Sequence, residues 1–276
     1  MCAGAANERT KDSSPCAKLQ FREKLKPVLI RNLMNRPVQP TLSIADLSIA
    51  HSVFEARYDM AFLIFDRTGT VCSECAERYP DLRLSQASSA VTSFFVDNFS
   101  FSVEQTMSRV VLGDARHDPK EFGRRTKPFF DIVLRQLEIS VITRIGLRQV
   151  YFQTFADSDG AADFIRSLKL DTEPADKHFG ISSPAREMVL RWESSPNGAM
   201  LHLMAIPGPA VTQVADVRLV EKGFGETYKS VLVFDVDYYT TTSVPRSQFD
   251  SEEWIANSSH IIKKGLRSFL DQCQAQ

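Results

Sequence analysis

Two long segments of strand-forming residues constrain the fold of this chain most. They are residues 144–155 (RIGLRQVYFQTF) and 230–239 (SVLVFDVDYY). Each is rich in β-branched and aromatic residues, and each exceeds the usual strand length of about five or six residues. A chain of 276 residues is long enough to bury a substantial core. The two segments therefore predict a large β-sheet, which needs a cover of helices on at least one face.

Alternating apolar residues and helix-capping residues predict the remaining elements. In residues 52–66, Phe54, Ala56 and Tyr58 alternate with charged residues, which is typical of a strand buried on one face. An Asn-Gly pair at 197–198 predicts a hairpin turn. Further strands are predicted over residues 90–96, 101–112, 141–155, 187–193, 200–206 and 228–239. Helices are predicted over residues 71–79, 118–138, 161–168 and 250–273, the longest two with capping-box residues at their starts.

The order of these elements is the same in the two halves of the chain. Residues 41–139 and 140–276 each give a strand, a short helix, further strands and a long helix. We therefore expect one α+β domain over residues 41–276, built from two similar β-α-β-β-α halves. An antiparallel sheet with its helices on one face is the expected architecture.

A basic segment precedes this domain. Residues 1–40 contain eight Lys/Arg against three acids, a net charge of +5, whereas the whole chain carries −1. We expect a flexible arm here, because residues 1–16 are small, polar and without periodicity. Such an arm either contacts nucleic acid or is a solvated tail. Its candidate phosphate contacts are Lys18, Arg22, Lys24 and Lys26.

Targeting signals and cysteine usage favour a reducing compartment. The N-terminus has no apolar stretch typical of a signal peptide, and no run approaches the roughly 18 apolar residues that span a bilayer. Five cysteines without a disulfide spacing are simplest as free thiols, which predicts a cytoplasmic protein without a membrane partner. Cys72 and Cys75 form a single Cys-x-x-Cys, but a zinc site needs a second ligand pair.

Two charged pairs lie within the longest predicted strands. Asp235 and Asp237 are two residues apart, so they share a face and could hold Mg²⁺ in a hydrolase or nuclease. The alternative is a solvent-facing or salt-bridged strand end. Arg144 and Arg148 also share a face, and they form either a phosphate-binding patch or surface ion pairs.

A third set of candidates would line a pocket. Tyr151, Trp192 and His202 lie on predicted strands and combine aromatic surface with polar groups, as ligand sites do. The sequence lacks a Gly-x-Ser-x-Gly elbow and a phosphate-binding glycine loop with lysine. The DSDG sequence at 157–160 begins like a calcium loop, but Leu168 stands where that loop needs glutamate. We expect no cofactor.

Several of these segments resemble a sporadically distributed family of uncharacterised bacterial proteins. The resemblance lies in the sequences RIGLR at 144–148 and FDVD at 234–237, in VFEAR at 53–57, and in a terminal helix with Trp254, His260 and Phe269. It covers about residues 45–272, and Gln149 and Val150 depart from the family pattern. The resemblance implies a bacterial protein with no established activity and no catalytic residues.

Three functional classes remain open on the sequence. The first is a non-catalytic accessory or regulatory protein that binds a partner protein or nucleic acid, as in bacterial defence or toxin-control loci. The second is a metal-dependent hydrolase or nuclease that uses Asp235 and Asp237. The third is a small-ligand-binding protein with a pocket lined by Tyr151, Trp192 and His202.

Overall fold

An antiparallel sheet of nine strands organises the part of the chain that the computed structural model describes, which is residues 42–88, 91–113, 118–168, 186–207, 213–214, 217–218 and 230–274. The sheet comprises β1 (Ser48–Arg57), β2 (Arg83–Ala87), β3 (Val91–Val96), β4 (Phe99–Glu104), β5 (Met107–Leu112), β7 (Arg144–Phe155), β8 (Arg186–Glu193), β9 (Asn197–Pro207) and β12 (Ser230–Thr240). Two short ribbons pair β6 (Val141–Ile142) with β13 (Val244–Pro245) and β10 (Gln213–Val214) with β11 (Val217–Arg218).

The strand order is β2-β3-β4-β5-β1-β7-β12-β9-β8, and every neighbouring pair is antiparallel. The two segments that dominate the sequence are therefore the adjacent central strands β7 and β12. They pair over ten residues each, from Ser230 opposite Phe155 to Tyr239 opposite Gly146. This register places the Arg144–Arg148 segment beside the Asp235–Asp237 segment.

Four α-helices are described: α1 (Ile64–Arg78), α2 (Pro119–Gln136), α3 (Gly160–Ser167) and α4 (Ser251–Gln274). The N-cap half of each predicted capping box forms at the two long helices. The Asp118 carboxylate accepts the Lys120 N–H at 3.0 Å, with Pro119 in the first turn. The Asp250 carboxylate accepts the N–H groups of Glu252 and Glu253 at 2.9 and 3.2 Å. These bonds satisfy backbone donors that a helix start leaves free.

The helices cover one side of the sheet, which we call the helix face. Phe54 on β1 lies in ring contact with Phe130 of α2 and Trp254 of α4, with centroids 5.2 and 5.8 Å apart. Phe234 on β12 meets Phe164 of α3 at 6.1 Å. These side chains belong to one buried hydrophobic core. The expected α+β fold, with helices on an antiparallel sheet, is confirmed.

The other side of the sheet, the far face, carries different residues. Glu55, Arg148 and Asp235 point to this side because they alternate with helix-face residues along their strands. A second, smaller cluster of buried apolar residues also lies on the far face, separate from the main core. Its members are Val150, Phe152, Val231 and Val233.

The two halves of the sheet follow the same connection order. In each half the first strand (β1 or β7) pairs with the last (β5 or β12), and the preceding strands continue outward from it. A short helix, α1 or α3, follows the first strand, and a long helix, α2 or α4, follows the last. The halves meet at β1 and β7 in the centre of the sheet. Among the described strands the halves differ at the outer ends, because β2 extends the first half by one strand.

Three sequence predictions need correction. The strand predicted over residues 52–66 ends at Arg57, and α1 begins at Ile64. The strand predicted over residues 101–112 is two strands, β4 and β5, with a turn at residues 105–106. The predicted hairpin between β8 and β9 forms, but residues 194–196 connect the two strands, and the Asn-Gly pair begins β9.

The described residues all belong to one compact unit of the chain, Thr41–Gln276. Within them, none of the helices combines the length and apolarity that crossing a membrane requires. The basic segment at residues 1–40 lies outside the described residues.

Candidate functional site

The arginine and aspartate pairs of the two central strands meet on the far face. Arg148 binds Asp235 through two contacts, from Nε to Oδ1 at 2.7 Å and from Nη2 to Oδ2. The Asp235 side chain is 1% exposed and the Arg148 side chain 34%. The two residues stand one diagonal step apart on neighbouring strands, since Asp235 lies opposite Val150. Bidentate arginine–carboxylate geometry is among the strongest polar contacts in proteins.

Arg144 links two further carboxylates. Its Nη2 donates to Asp237 Oδ2 at 2.6 Å and its Nη1 to Glu55 Oε1 at 3.1 Å. The Glu55 carboxylate also receives Arg57 Nε at 2.5 Å. Burial raises the pKa of the Asp237 carboxyl above its ordinary value, and the Arg144 charge opposes that shift only in part. Together the ion pairs form a charge ladder across β1, β7 and β12.

Two glycines give the charge ladder room. A Cβ on Gly146 would lie 2.8 Å from Arg144 Nη1, so the guanidinium group crosses this residue on its way to Asp237. A Cβ on Gly198 would lie 2.9 Å from the Tyr239 ring, which therefore lies over that glycine. Arg144 Cζ in turn lies 4.6 Å from the centroid of the Tyr239 ring. An aromatic ring over a glycine of the neighbouring strand shields backbone that has no side chain of its own.

A buried histidine lies beside the charge ladder. His51 is fully buried, and neither ring nitrogen has a hydrogen-bond partner among the described residues. Burial and, to a smaller extent, the Arg148 charge lower its pKa to about 4, against the opposing effect of the Asp235 carboxylate. His51 is therefore a neutral imidazole at pH 7. It was not singled out by the sequence, because a lone histidine on a strand carries no pattern.

The charge ladder determines what the sequence candidates can bind. A magnesium site usually includes carboxylate oxygens as ligands, but both Asp235 oxygens accept from Arg148 and Asp237 Oδ2 accepts from Arg144. A phosphate would need the donors of Arg144 and Arg148, which the same carboxylates engage. In the described part of the chain, no three His, Cys, Asp or Glu residues cluster as metal ligands would. We therefore interpret the charge ladder as a structural network in which the arginines and carboxylates neutralise one another.

The three residues predicted to line one pocket lie in different places. Tyr151 is buried in the helix-face core, where its hydroxyl donates to Gln149 Oε1 at 3.0 Å. His202 is on the far face, with Nε2 2.6 Å from Glu187 Oε1 but out of line for a hydrogen bond. Trp192 is on the helix face and half exposed. The structure does not bring the three together.

Trp192 lines an apolar groove at one end of the sheet. The groove has a volume of about 340 Å³ and lies between strands β12, β9 and β8 and the second half of α4. Trp192 is 53% exposed and Ile261, on the helix wall, 42%, so the groove opens to solvent. We call this site the α4 groove; its lining includes Trp192, Leu201, Val236, Tyr238, Ile261, Gly265, Leu266 and Phe269.

The sequence predicts only part of the helix wall of the α4 groove. The apolar stripe of residues 250–273 predicts a helix that covers the sheet, and Ile255, Ile262 and Leu266 are indeed buried. Ile261 belongs to the same stripe by composition but stands at its solvent edge. A Cβ on Gly265 would meet no atom within 4 Å, which marks open space on this side of α4.

The remaining sequence candidates are the Cys-x-x-Cys pair and the basic residues of the arm. Cys72 and Cys75 are both free thiols on α1. Burial raises the pKa of Cys75 to about 12 and that of Cys72 above its usual value, which suppresses thiolate reactivity. The candidate phosphate contacts of the arm, from Lys18 to Lys26, lie outside the described residues.

Comparison with known proteins adds no assignment to this geometry: no protein-family model matches the chain, and no curated protein matches it.

Proposed function

We propose that this protein is a non-catalytic binding protein that holds an apolar segment of a partner protein in the α4 groove. The observation that carries the proposal is the exposed, apolar surface of Trp192 and Ile261 at the mouth of that groove. Large exposed apolar side chains set in a concave patch are typical of protein–protein sites. Tryptophan is among the residues that most often dominate binding energy there.

A protein segment fits the α4 groove better than an enclosed small ligand does. Ligand pockets usually bury most of their ligand and present a few convergent polar groups. This groove opens along its rim, and its polar lining residues are few: Tyr238, Ser268 and Gln272. A row of apolar side chains from a partner segment would cover the exposed ring of Trp192. A compact ligand would leave that ring exposed to solvent.

The ion pairs of the charge ladder argue against a metal-dependent hydrolase or nuclease. A hydrolase at Asp235 and Asp237 would have to displace Arg148 and Arg144 before a metal could bind. That displacement would leave a guanidinium group and a buried carboxylate without partners, which is costly. Nucleic-acid binding by the basic arm stays a prediction of the sequence, as do the cytoplasmic location and the bacterial origin.

The proposal is tested by filling the groove and by cross-linking from it. Gly265→Leu places a side chain into open space, while Gly69→Leu on α1 is the matched control, since a Cβ there also meets no atom within 4 Å. Trp192 is replaced by the photoreactive residue p-benzoylphenylalanine, and the protein is irradiated in extract of its source cells. We expect one protein adduct from position 192 that Gly265→Leu prevents and Gly69→Leu does not.

Two outcomes would contradict the proposed function. One is an adduct whose yield Gly265→Leu leaves unchanged, because binding would then occur outside the groove. The other is a divalent-ion-dependent hydrolytic activity that Asp235→Asn abolishes, which would restore the catalytic class.

A further inference from the structure

The outer edge of β8 differs from the opposite edge of the sheet. β8 is eight residues long and pairs with β9 in continuous register, from Arg186 opposite Ala205 to Glu193 opposite Gly198. The opposite edge strand, β2, is five residues long and its register shifts between Leu84 and Gln86. Short and bulged edge strands resist pairing with other chains, whereas long regular ones invite it.

The internal symmetry of the sheet shows that the position beside β8 is occupied by a strand in the other half. Counted outward from the centre, β8 occupies the position in the second half that β3 occupies in the first. β3 pairs on its outer side with a further strand, β2, whereas none of the described strands lies beyond β8. The equivalent place beside β8 is thus one that an extended strand fits.

The backbone of β8 directs hydrogen-bonding groups outward at alternate residues, where no described strand pairs with them. Ser194 N–H donates to Asn197 O at 3.0 Å at the end of the hairpin. Hydrogen-bonded pairs recur at every second residue of an antiparallel ladder. Leu190 therefore bonds to β9, while the N–H and C=O groups of Glu187, Val189 and Arg191 point away from the sheet.

The side chains of the same three residues are self-complementary. Antiparallel pairing of β8 with a second β8, about a two-fold axis at Val189, places Glu187 of each copy opposite Arg191 of the other. It also places Val189 opposite its own copy, and Met188 opposite Leu190. Within one copy Glu187 Oε1 lies 2.6 Å from His202 Nε2 and Arg191 Nη1 lies 3.9 Å from Glu193 Oε1. The Glu187 and Arg191 side chains are nevertheless 65% and 62% exposed and Val189 is 53% exposed, so all three are accessible to a partner strand. Opposite charges directly across a strand pair are favourable.

We propose that two copies of this chain associate through β8 and form one continuous sheet across a two-fold axis at Val189. The occupant of the edge is a second copy because the charge pattern is complementary to itself under this symmetry, as an isologous interface requires. Strand addition supplies main-chain hydrogen bonds, and the side-chain pairs fix the register. The interface shares β8, and with it Trp192, with the α4 groove but uses the outer edge of the strand and not α4, so Gly265→Leu leaves association unchanged.

The test is sedimentation equilibrium of the full chain with charge-reversed variants. Wild type is expected to dimerise with increasing concentration. Glu187→Arg and Arg191→Glu each oppose like charges at two symmetric positions, and each is expected to weaken dimerisation roughly tenfold or more. Mixing the two variants restores both opposite-charge pairs, so the mixture forms heterodimers, and the double variant E187R/R191E dimerises like wild type.

Two controls keep folding separate from association. Arg83→Glu makes the same charge reversal on the β2 edge and is expected to leave the dimer unchanged. Val189→Pro removes an outward-pointing donor, which an edge strand tolerates. This variant is expected to be folded by circular dichroism and monomeric by sedimentation equilibrium. A monomeric wild type, or single variants that dimerise like wild type, or a mixture that stays monomeric, would overturn the proposal and leave the edge to another strand.

Discussion

Arg148 and Asp235 form a two-contact ion pair in which the carboxylate is almost wholly buried and the guanidinium group is one third exposed. The asymmetry predicts unequal consequences of breaking the pair. Arg148→Met leaves the buried Asp235 carboxylate without a partner, whereas Asp235→Asn leaves a guanidinium group that can turn toward water. We expect Arg148→Met to lower the free energy of unfolding by about 3–5 kcal/mol and Asp235→Asn by less.

Urea unfolding of both variants and of the double variant at pH 7 measures this difference. The double variant is expected to lose less than the sum of the single losses, because the two residues act as one unit. Equal losses for the two single variants would mean that Asp235 is better solvated than its burial indicates.

His51 predicts a specific pH dependence of stability. Its folded pKa of about 4 lies below the unfolded value of 6.5, so between these pH values the unfolded state binds more protons. Stability is therefore lost as pH falls from about 6.5 to about 4, by about 3 kcal/mol in total at 1.36 kcal/mol per unit of pKa.

His51→Leu removes the titrating group together with two ring nitrogens that lack partners. We expect this variant to be about as stable as wild type at pH 7 and to lack this component of the pH slope. The difference between the two unfolding curves isolates His51 from other groups, including Asp237, whose raised pKa acts in the opposite direction. Parallel slopes for variant and wild type would refute the assignment.

The fold class was predictable because periodicity reports which side of an element is buried. The long strands, the capped helices at Asp118 and Asp250 and the antiparallel arrangement all follow from local patterns. The failures came where the local pattern and the tertiary contacts disagree. Met60 and Phe62 continue the alternation of β1, yet both are exposed, because the chain has already left the sheet at Tyr58.

The turn between β4 and β5 was missed for a related reason. Its two residues, Gln105 and Thr106, are not the glycine or asparagine that mark tight hairpins. The backbone there is held from outside, since Tyr58 N–H donates to Thr106 O at 3.0 Å and Ala61 N–H to Gln105 O at 2.7 Å. Contacts from another segment stabilise a turn that the turn residues do not encode.

The charge ladder could be predicted in part. Shared faces on each strand were readable for Arg144 with Arg148 and for Asp235 with Asp237, and ion pairing was one stated alternative. Their mutual pairing depends on the adjacency of β7 and β12 and on a register that no local signal specifies. The α4 groove was beyond prediction, because it results from where a helix ends its coverage of the sheet.

Gly146 predicts a coupled effect with Arg144. Alanine suits a strand better than glycine does, but its Cβ would lie 2.8 Å from Arg144 Nη1. Displacement of the guanidinium group would break its bonds to Asp237 and Glu55, so we expect Gly146→Ala to cost about 1 kcal/mol. In an Arg144→Met background the same change should be neutral or stabilising. Thermal unfolding of the four proteins in this cycle measures the coupling, and additive effects would show that Arg144 does not cross the glycine.

Gly265 predicts a gain of stability at the wall of the α4 groove. Glycine in an exposed helix interior costs about 1 kcal/mol relative to alanine. Because nothing lies within 4 Å of the added Cβ, Gly265→Ala should raise the free energy of unfolding by up to about that amount. Gly69→Ala on α1 meets the same open space and should give a similar gain. A loss of stability at Gly265 alone would mean that a neighbouring segment occupies the groove in the free protein, since only then would the new methyl group meet an atom.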